Sequence, residues 1–183
     1  MTRLLVFLAL VLFIGACDPN KPQPIASSER VDSNPAAQQL AILDKRQPVP
    51  LVPMMADHQK QNMRDHLAAI QEIVGALATR DFAAVRQSAS RIGSSPQAEQ
   101  MCNHMGAGAN GFTEKGLHFH RTADRIIESA QAEDLDATLL AVSETLEACN
   151  SCHATFRQDV VDEATWGKAT QSRVPSKASQ SGQ

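Results

Sequence analysis

Two cysteines and a histidine near the C-terminal end of the sequence have a spacing that can do chemistry. Cys149 and Cys152 are separated by two residues, and His153 follows directly. Residues three and four apart share one face of a helix, so both thiols and the imidazole can reach a single ligand. This C-x-x-C-H pattern is typical of covalent c-type haem attachment, with the thiols on the haem edge and the histidine on the iron. We therefore predict one haem c bound through Cys149 and Cys152, with His153 as an axial ligand.

Other chemistries of a C-x-x-C pair fit the surrounding sequence less well. Redox dithiols of this spacing follow a strand in a βαβ pattern, which is absent here. A zinc site needs four ligands, and no second ligand pair at short spacing is present. A disulfide within one helix would strain the ideal geometry of the bond. A non-haem lipoprotein with a structural metal or disulfide is kept as an alternative, and it predicts a colourless protein.

The elements that must position this motif read as amphipathic helices. We predict four of them, at about 54–80, 82–92, 112–132 and 134–162, with a short helical piece near 96–105. The apolar stripe of the first is Met63, Leu67, Ile70, Val74 and Leu77, and that of the last is Leu135, Leu139, Val142, Leu146, Cys149, His153, Phe156 and Val160. Aromatic residues are only 4% of the chain, which argues against a β-sandwich or barrel. The predicted fold is all-α, an antiparallel four-helix bundle with the haem motif on the last helix.

The N-terminal segment indicates export. Arg3 precedes a short apolar run, and the sequence then continues to Cys17 through Ile-Gly-Ala. These residues resemble the bacterial lipobox, which implies that 1–16 is a signal peptide and that Cys17 is lipidated. An ordinary cleaved signal with a chance cysteine is the alternative. We predict a Pro-rich linker at 17–53, a cytochrome domain at 54–167, a disordered tail at 168–183, and a lipid-anchored protein on the periplasmic side of a bacterial membrane.

Charge and motifs exclude other classes of function. Between residues 54 and 162 there are nine Lys and Arg against fifteen Asp and Glu, a net charge of −6. Nucleic-acid binding needs the opposite sign, so we predict no nucleic-acid partner. No catalytic triad, P-loop or dinucleotide fingerprint is present, and we predict that the chain is not an enzyme.

The sequence resembles the class II c-type cytochromes, the family of cytochrome c′ and cytochrome c556. Its motif lies near the C-terminus on the last helix, and it continues through Phe156 and Arg157, an aromatic and a basic residue as is common in that family. The resemblance implies an electron carrier with redox partner proteins, and a homodimer is left open because relatives are often dimers. It also implies a sixth-ligand position near the start of the first helix, which Met63 matches. A methionine ligand would give low-spin haem suited to electron transfer, whereas an open iron would bind nitric oxide or another small gas.

Met63 has competitors for this role. It lies on the predicted apolar stripe, where core packing alone would account for it. The other candidates are His58, His66, His104, His118, His120, Met54, Met55, Met101 and Met105. Cys102 is predicted to be a buried or free thiol, with regulation or dimerisation as an alternative role.

Overall fold

The computed structural model describes residues 35–171, which belong to two compact units divided between Asp44 and Lys45. The described part of the first unit is helix α1, Pro35–Leu43. The predicted signal peptide, the lipidation site Cys17, the linker as far as residue 34 and the tail from residue 172 lie outside the described residues. No helix in the described part of the chain is long and apolar enough to cross a bilayer.

The second unit is mostly helical. In chain order its elements are β1 (Gln47–Leu51), α2 (Pro53–Ala78), α3 (Phe82–Ser90), α4 (Pro96–Gly106), α5 (Phe112–Gln131), α6 (Leu135–Thr155), β2 (Phe156–Val160) and α7 (Glu163–Gln171). The all-α prediction is therefore confirmed over the described residues, apart from one short two-stranded sheet.

Helix starts are fixed by local chemistry. Asp81, Asp134 and Ser95 each accept a hydrogen bond from a backbone N–H in the first turn of α3, α6 and α4, at 3.0, 3.0 and 3.1 Å. These side chains satisfy donors that a helix N-terminus otherwise leaves unpaired. Helix α2 instead begins with Pro53 in its first position, where the missing N–H costs nothing.

Four helices share one apolar cluster, which we call the helical cluster. Its buried members are Ala69, Ile70, Ile73 and Leu77 of α2, Phe82, Val85, Ala89 and Ile92 in and after α3, Phe119, Ala123, Ile126 and Ala130 of α5, and Ala141, Val142 and Ala148 of α6. Helix α5 packs on α3 and α6, and α2 packs on α3. The stripe of α5 follows a four-and-three spacing, as helical periodicity predicts.

A second apolar group, the sheet cluster, surrounds the two strands. Its buried members are Val49, Leu51, Val52, Met55, Ala56, Met105, Ala109, Phe112 and Phe156. Strands β1 and β2 pair in parallel, with Gln47 opposite Phe156 and Leu51 opposite Val160. The second unit begins at Lys45, inside the segment predicted as linker.

The predicted last helix is too long. Helix α6 ends at Thr155, and 156–160 form β2 rather than further helical turns. The partner strand contains Pro48 and Pro50, which lack an N–H and exclude a helix, but which are tolerated at alternate positions of an edge strand. Two of the prolines in the predicted linker thus belong to a strand, and this strand pairs with the residues that follow the motif.

Two predicted stripes are also wrong in part. Leu67 and Val74 of α2 are 66% and 49% exposed, and Leu139 and Leu146 of α6 are 46% and 38% exposed. The buried positions of α6 include two threonines instead, Thr138 and Thr145. Their hydroxyls donate to the carbonyls of Asp134 and Ala141, four residues earlier, at 2.5 and 2.8 Å. A threonine whose hydroxyl is satisfied in this way can be buried like an apolar residue, which hydrophobicity alone does not reveal.

Candidate functional site

Cys149, Cys152 and His153 lie on the last two turns of α6, and the end of this helix is well capped. The carbonyl of Cys152 accepts a hydrogen bond from the Phe156 backbone N–H. Arg46, just before β1, donates from Nη1 to the carbonyl of His153 at 3.3 Å. Helix ends otherwise leave such carbonyls unpaired. Two carbonyl groups at the end of α6 are therefore paired, one with the Phe156 N–H and one with Arg46, and these bonds fix the backbone that carries the motif.

Phe156 anchors the motif in the core. It follows His153 by three residues and is buried in the sheet cluster. Its ring contacts Phe112 of α5 edge-on, with centroids 5.3 Å apart. Such aromatic pairs are favourable beyond the area they bury. Arg157 lies on β2, with Nη1 3.4 Å from an Asp159 carboxylate oxygen.

The two thiols lie at the junction of the two apolar clusters. Cys149 packs against the helical cluster, and Cys152 packs against the sheet cluster. Both side chains are half-buried and neither is in a disulfide. Burial raises the pKa of both thiols, and the charge of Lys115 opposes this shift at Cys152. Both groups are consequently protonated thiols at neutral pH.

Lys115 of α5 holds the motif from the neighbouring helix. Its Nζ donates to Ser151 Oγ at 2.7 Å. Ser151 is one of the two residues between the cysteines, so this bond ties the motif to α5. His153 itself is exposed to solvent on the outer side of the last turn.

Met63 lies on α2 and is half-buried. Helix α2 packs mainly on α3 and α6 packs mainly on α5, while buried residues of both α2 and α6 belong to the helical cluster. Met63 as the sixth ligand therefore stays a prediction. Among the other candidates, Met55 and Met105 are buried in the sheet cluster and Met54 is 78% exposed. The imidazole of His104 lies 5.5 Å from the Trp166 ring, centroid to centroid.

A cluster of rings between α2 and α5 was not predicted. His66 stacks on Phe119 with centroids 4.8 Å apart, and it meets His120 edge-on at 5.6 Å. Nδ1 of His120 is 2.8 Å from the Ile92 carbonyl oxygen, so this buried imidazole is engaged by the backbone. Burial lowers the pKa of His66 to about 4, and the nearby His120 acts in the same direction. The signal in the sequence that could have indicated this cluster of rings is the position of Phe119 and His120 on the inward face of α5.

The surface beside the motif is apolar. Leu139, Leu146 and His153 are seven residues apart in succession and therefore share one side of α6. Both leucines are partly exposed. A shallow groove of about 520 Å³ adjoins this side of the helix: its lining includes Leu146, Asn150 and Ser151, but not the thiols.

These features fit a covalently bound haem. The two unbridged thiols, one helical turn apart, match the two thioether bonds at the edge of a haem. The histidine directly after them matches an iron ligand, and the adjacent exposed apolar face matches the macrocycle. Among residues 35–171 no group of three or more His, Cys, Asp or Glu side chains is arranged to hold a metal ion. Cys149 and Cys152 would hold the haem covalently, and His153 would ligate its iron.

Comparisons with known proteins give no match: no family model, no curated protein and no solved structure is similar to the chain.

Proposed function

We propose that this chain is a monohaem c-type cytochrome of class II. In this proposal α2, α3, α5 and α6 form an antiparallel four-helix bundle, and lipidated Cys17 tethers the protein on the periplasmic side of a bacterial membrane. The protein carries electrons between redox partner proteins and catalyses no reaction of its own. Bound at Cys149 and Cys152, the haem would supply a one-electron couple at its iron.

The observation that carries the proposal is the state of the motif on α6. Cys149 and Cys152 are both free thiols, they are one turn apart, and His153 comes next on a capped helix end. In the proposed attachment each S–H would add across a vinyl group of the haem, with one C–S bond formed and the hydrogen moved to the adjacent carbon. Phe156 and Lys115 fix the backbone around this step, because one is buried in the sheet cluster and the other bonds Ser151. A fixed helix end limits ligand rearrangement at His153, as electron transfer requires.

The test is haem attachment in a host able to make c-type cytochromes. We expect purified protein to be coloured, and its haem to stay on the chain in a denaturing gel. Replacing both cysteines, Cys149→Ser with Cys152→Ser, should abolish covalent haem. Cys102→Ser is the matched control because it removes another half-buried thiol outside the motif, and it should keep the haem. A colourless wild-type protein would overturn the proposal and favour a structural metal or disulfide.

The sixth ligand is tested on α2. Met63→Ala should convert a low-spin spectrum to a high-spin one and remove the weak sulfur-to-iron band, if Met63 ligates the iron. Leu67→Ala is the control, since this neighbouring side chain is largely exposed. A wild-type spectrum that is already high-spin and shifts with carbon monoxide would instead favour binding of nitric oxide or another small gas.

A further inference from the structure

Cys102, the third thiol of the described chain, is directed at α5. It lies on α4 and is half-buried. Its Sγ lies so close to Gly116 that a Cβ added there would be 2.8 Å from the sulfur. The carbonyl of Cys102 accepts a hydrogen bond from Thr113 Oγ1 at 3.1 Å. Two contacts with α5 therefore define where this thiol lies.

Cys152 approaches the same part of α5 from α6. Lys115, the residue before Gly116, bonds Ser151 and acts electrostatically on the Cys152 thiol. Met101, the neighbour of Cys102 on α4, packs against the same sheet cluster as Cys152. Both thiols therefore lie beside the same turn of α5, Cys102 against Gly116 and Cys152 near Lys115. In agreement, burial raises the pKa of Cys102 and charge on Cys152 raises it further.

The three thiols are not equivalent as disulfide partners. Cys149 and Cys152 belong to one helix, where a disulfide would strain the usual geometry. Cys102 and Cys152 belong to different helices, and a bond between them would link residues fifty positions apart. Closing a longer loop restricts the unfolded chain more, so a bond between the two helices would stabilise the folded chain more than a bond within α6.

We propose that Cys102 and Cys152 form a reversible disulfide in the haem-free chain, which withholds Cys152 from thioether formation. Two S–H bonds break and one S–S bond forms. The two electrons and two protons pass to an exchange-active disulfide, which is reduced to two thiols. A dithiol reductant reverses the step and restores Cys152. The effect on haem attachment rests on the proposed function, whereas the disulfide itself does not.

The disulfide is tested on the haem-free full-length chain. The chain is reduced, equilibrated with glutathione and glutathione disulfide, alkylated and digested with trypsin. We expect a disulfide-linked pair of peptides, 92–115 with 126–157, as measured by mass spectrometry. Cys149→Ala should keep this pair, and Cys152→Ala should lower it by at least about tenfold. A bond between Cys149 and Cys152 alone, or a Cys102 alkylated at every redox poise, would overturn the proposal.

The consequence for attachment is measured separately as the fraction of chains that carry covalent haem. Under oxidising conditions Cys102→Ser should raise this fraction above that of wild type, and an added dithiol should remove the difference. If wild type and Cys102→Ser carry equal fractions of covalent haem at every redox poise while the cross-linked peptides are present, the disulfide does not withhold Cys152 from haem attachment. Failure of every variant to bind haem would contradict the proposed function but would leave the peptide result standing.

Discussion

The helical cluster and the sheet cluster meet at the two thiols of α6, and they are assembled from different kinds of contact. The helical cluster joins apolar stripes of four helices, each with a regular local spacing. The sheet cluster joins short segments from β1, α2, α4, α5 and β2, and its strands pair residues 109 positions apart, from Gln47 to Phe156. Local periodicity indicates much of the first kind of core, although not the buried threonines of α6, whereas pairing between distant segments creates the second. Cys149 packs against the helical cluster and Cys152 against the sheet cluster, so both clusters position the motif.

The largest expected effect on stability comes from removing one fully buried side chain from each cluster. Ile73→Ala in the helical cluster and Leu51→Ala in the sheet cluster should each lower the free energy of unfolding by about 2–5 kcal/mol, because each leaves a cavity. Urea unfolding followed by circular dichroism measures both. If the clusters are independent, the double variant should show the sum of the two losses. Leu67→Ala, at an exposed position, should change the value by less than about 0.5 kcal/mol.

A double variant clearly less destabilised than the sum would show that the two clusters act as one core. A large effect of Leu67→Ala would contradict the exposed position of this side chain. It would also restore the stripe predicted from the sequence.

A pH titration tests the edge of the helical cluster, where His66 stacks on Phe119. The folded pKa of His66 is about 4, below the ordinary 6.5, so the unfolded chain binds a proton more readily than the folded one. The stability from neutral His66 is complete above pH 6.5 and is lost as pH falls toward 4, by about 1–3 kcal/mol. His66→Phe should flatten this part of the curve, measured by urea unfolding at pH 4 and pH 7. His58→Phe, at an exposed position of the same helix, should leave the slope unchanged. An unaltered slope in His66→Phe would exclude His66 as its cause.

Strand β2 of the sheet cluster is hydrogen-bonded to α2 through Gln158. Its Nε2 donates to the Ala56 carbonyl at 3.2 Å and to Gln59 Oε1 at 2.5 Å. Gln158→Ala should cost about 1–2 kcal/mol, because the buried Gln59 side chain would lose its partner. Gln61→Ala, which removes a hydrogen bond to Asp65 on the exposed face of α2, is the control and should be nearly neutral. Equal losses in the two variants would show that Gln158 does not connect β2 to α2.

The same contrast explains which features the sequence could predict. The inward positions of α5, Phe119, Ala123, Ile126 and Ala130, follow from helical spacing and are all buried. The C-x-x-C-H motif is local too, and the structure keeps it together on one helix. Strand β2 was not predictable in this way, because Phe156 to Val160 continue an apolar helical pattern and become a strand only through pairing with β1.

The position of the third thiol also depends on contacts between distant segments. Cys102 is forty-seven residues before Cys149 in the sequence, and only the packing of α4 and α6 on α5 brings it to the motif.

Burial of Thr138 and Thr145 was missed for a different reason. Each hydroxyl donates a hydrogen bond to a carbonyl of its own helix, so the residue can be buried. A prediction that counts only apolar residues as buried therefore leaves these two positions out.

The smallest expected effect is at the contact between α4 and α5, where the two kinds of packing adjoin. Gly116→Ala would place a methyl group 2.8 Å from Cys102 Sγ, so the sulfur must move. The crowding costs about 1–3 kcal/mol, and the better helix propensity of alanine offsets about 1 kcal/mol. The net loss should be about 1 kcal/mol in urea unfolding. Adding Cys102→Ala should recover the loss due to crowding, because it removes the sulfur. If Gly116→Ala is equally destabilising with and without Cys102, the thiol does not lie against this turn of α5, and the proposed approach of Cys102 to Cys152 loses its geometric basis.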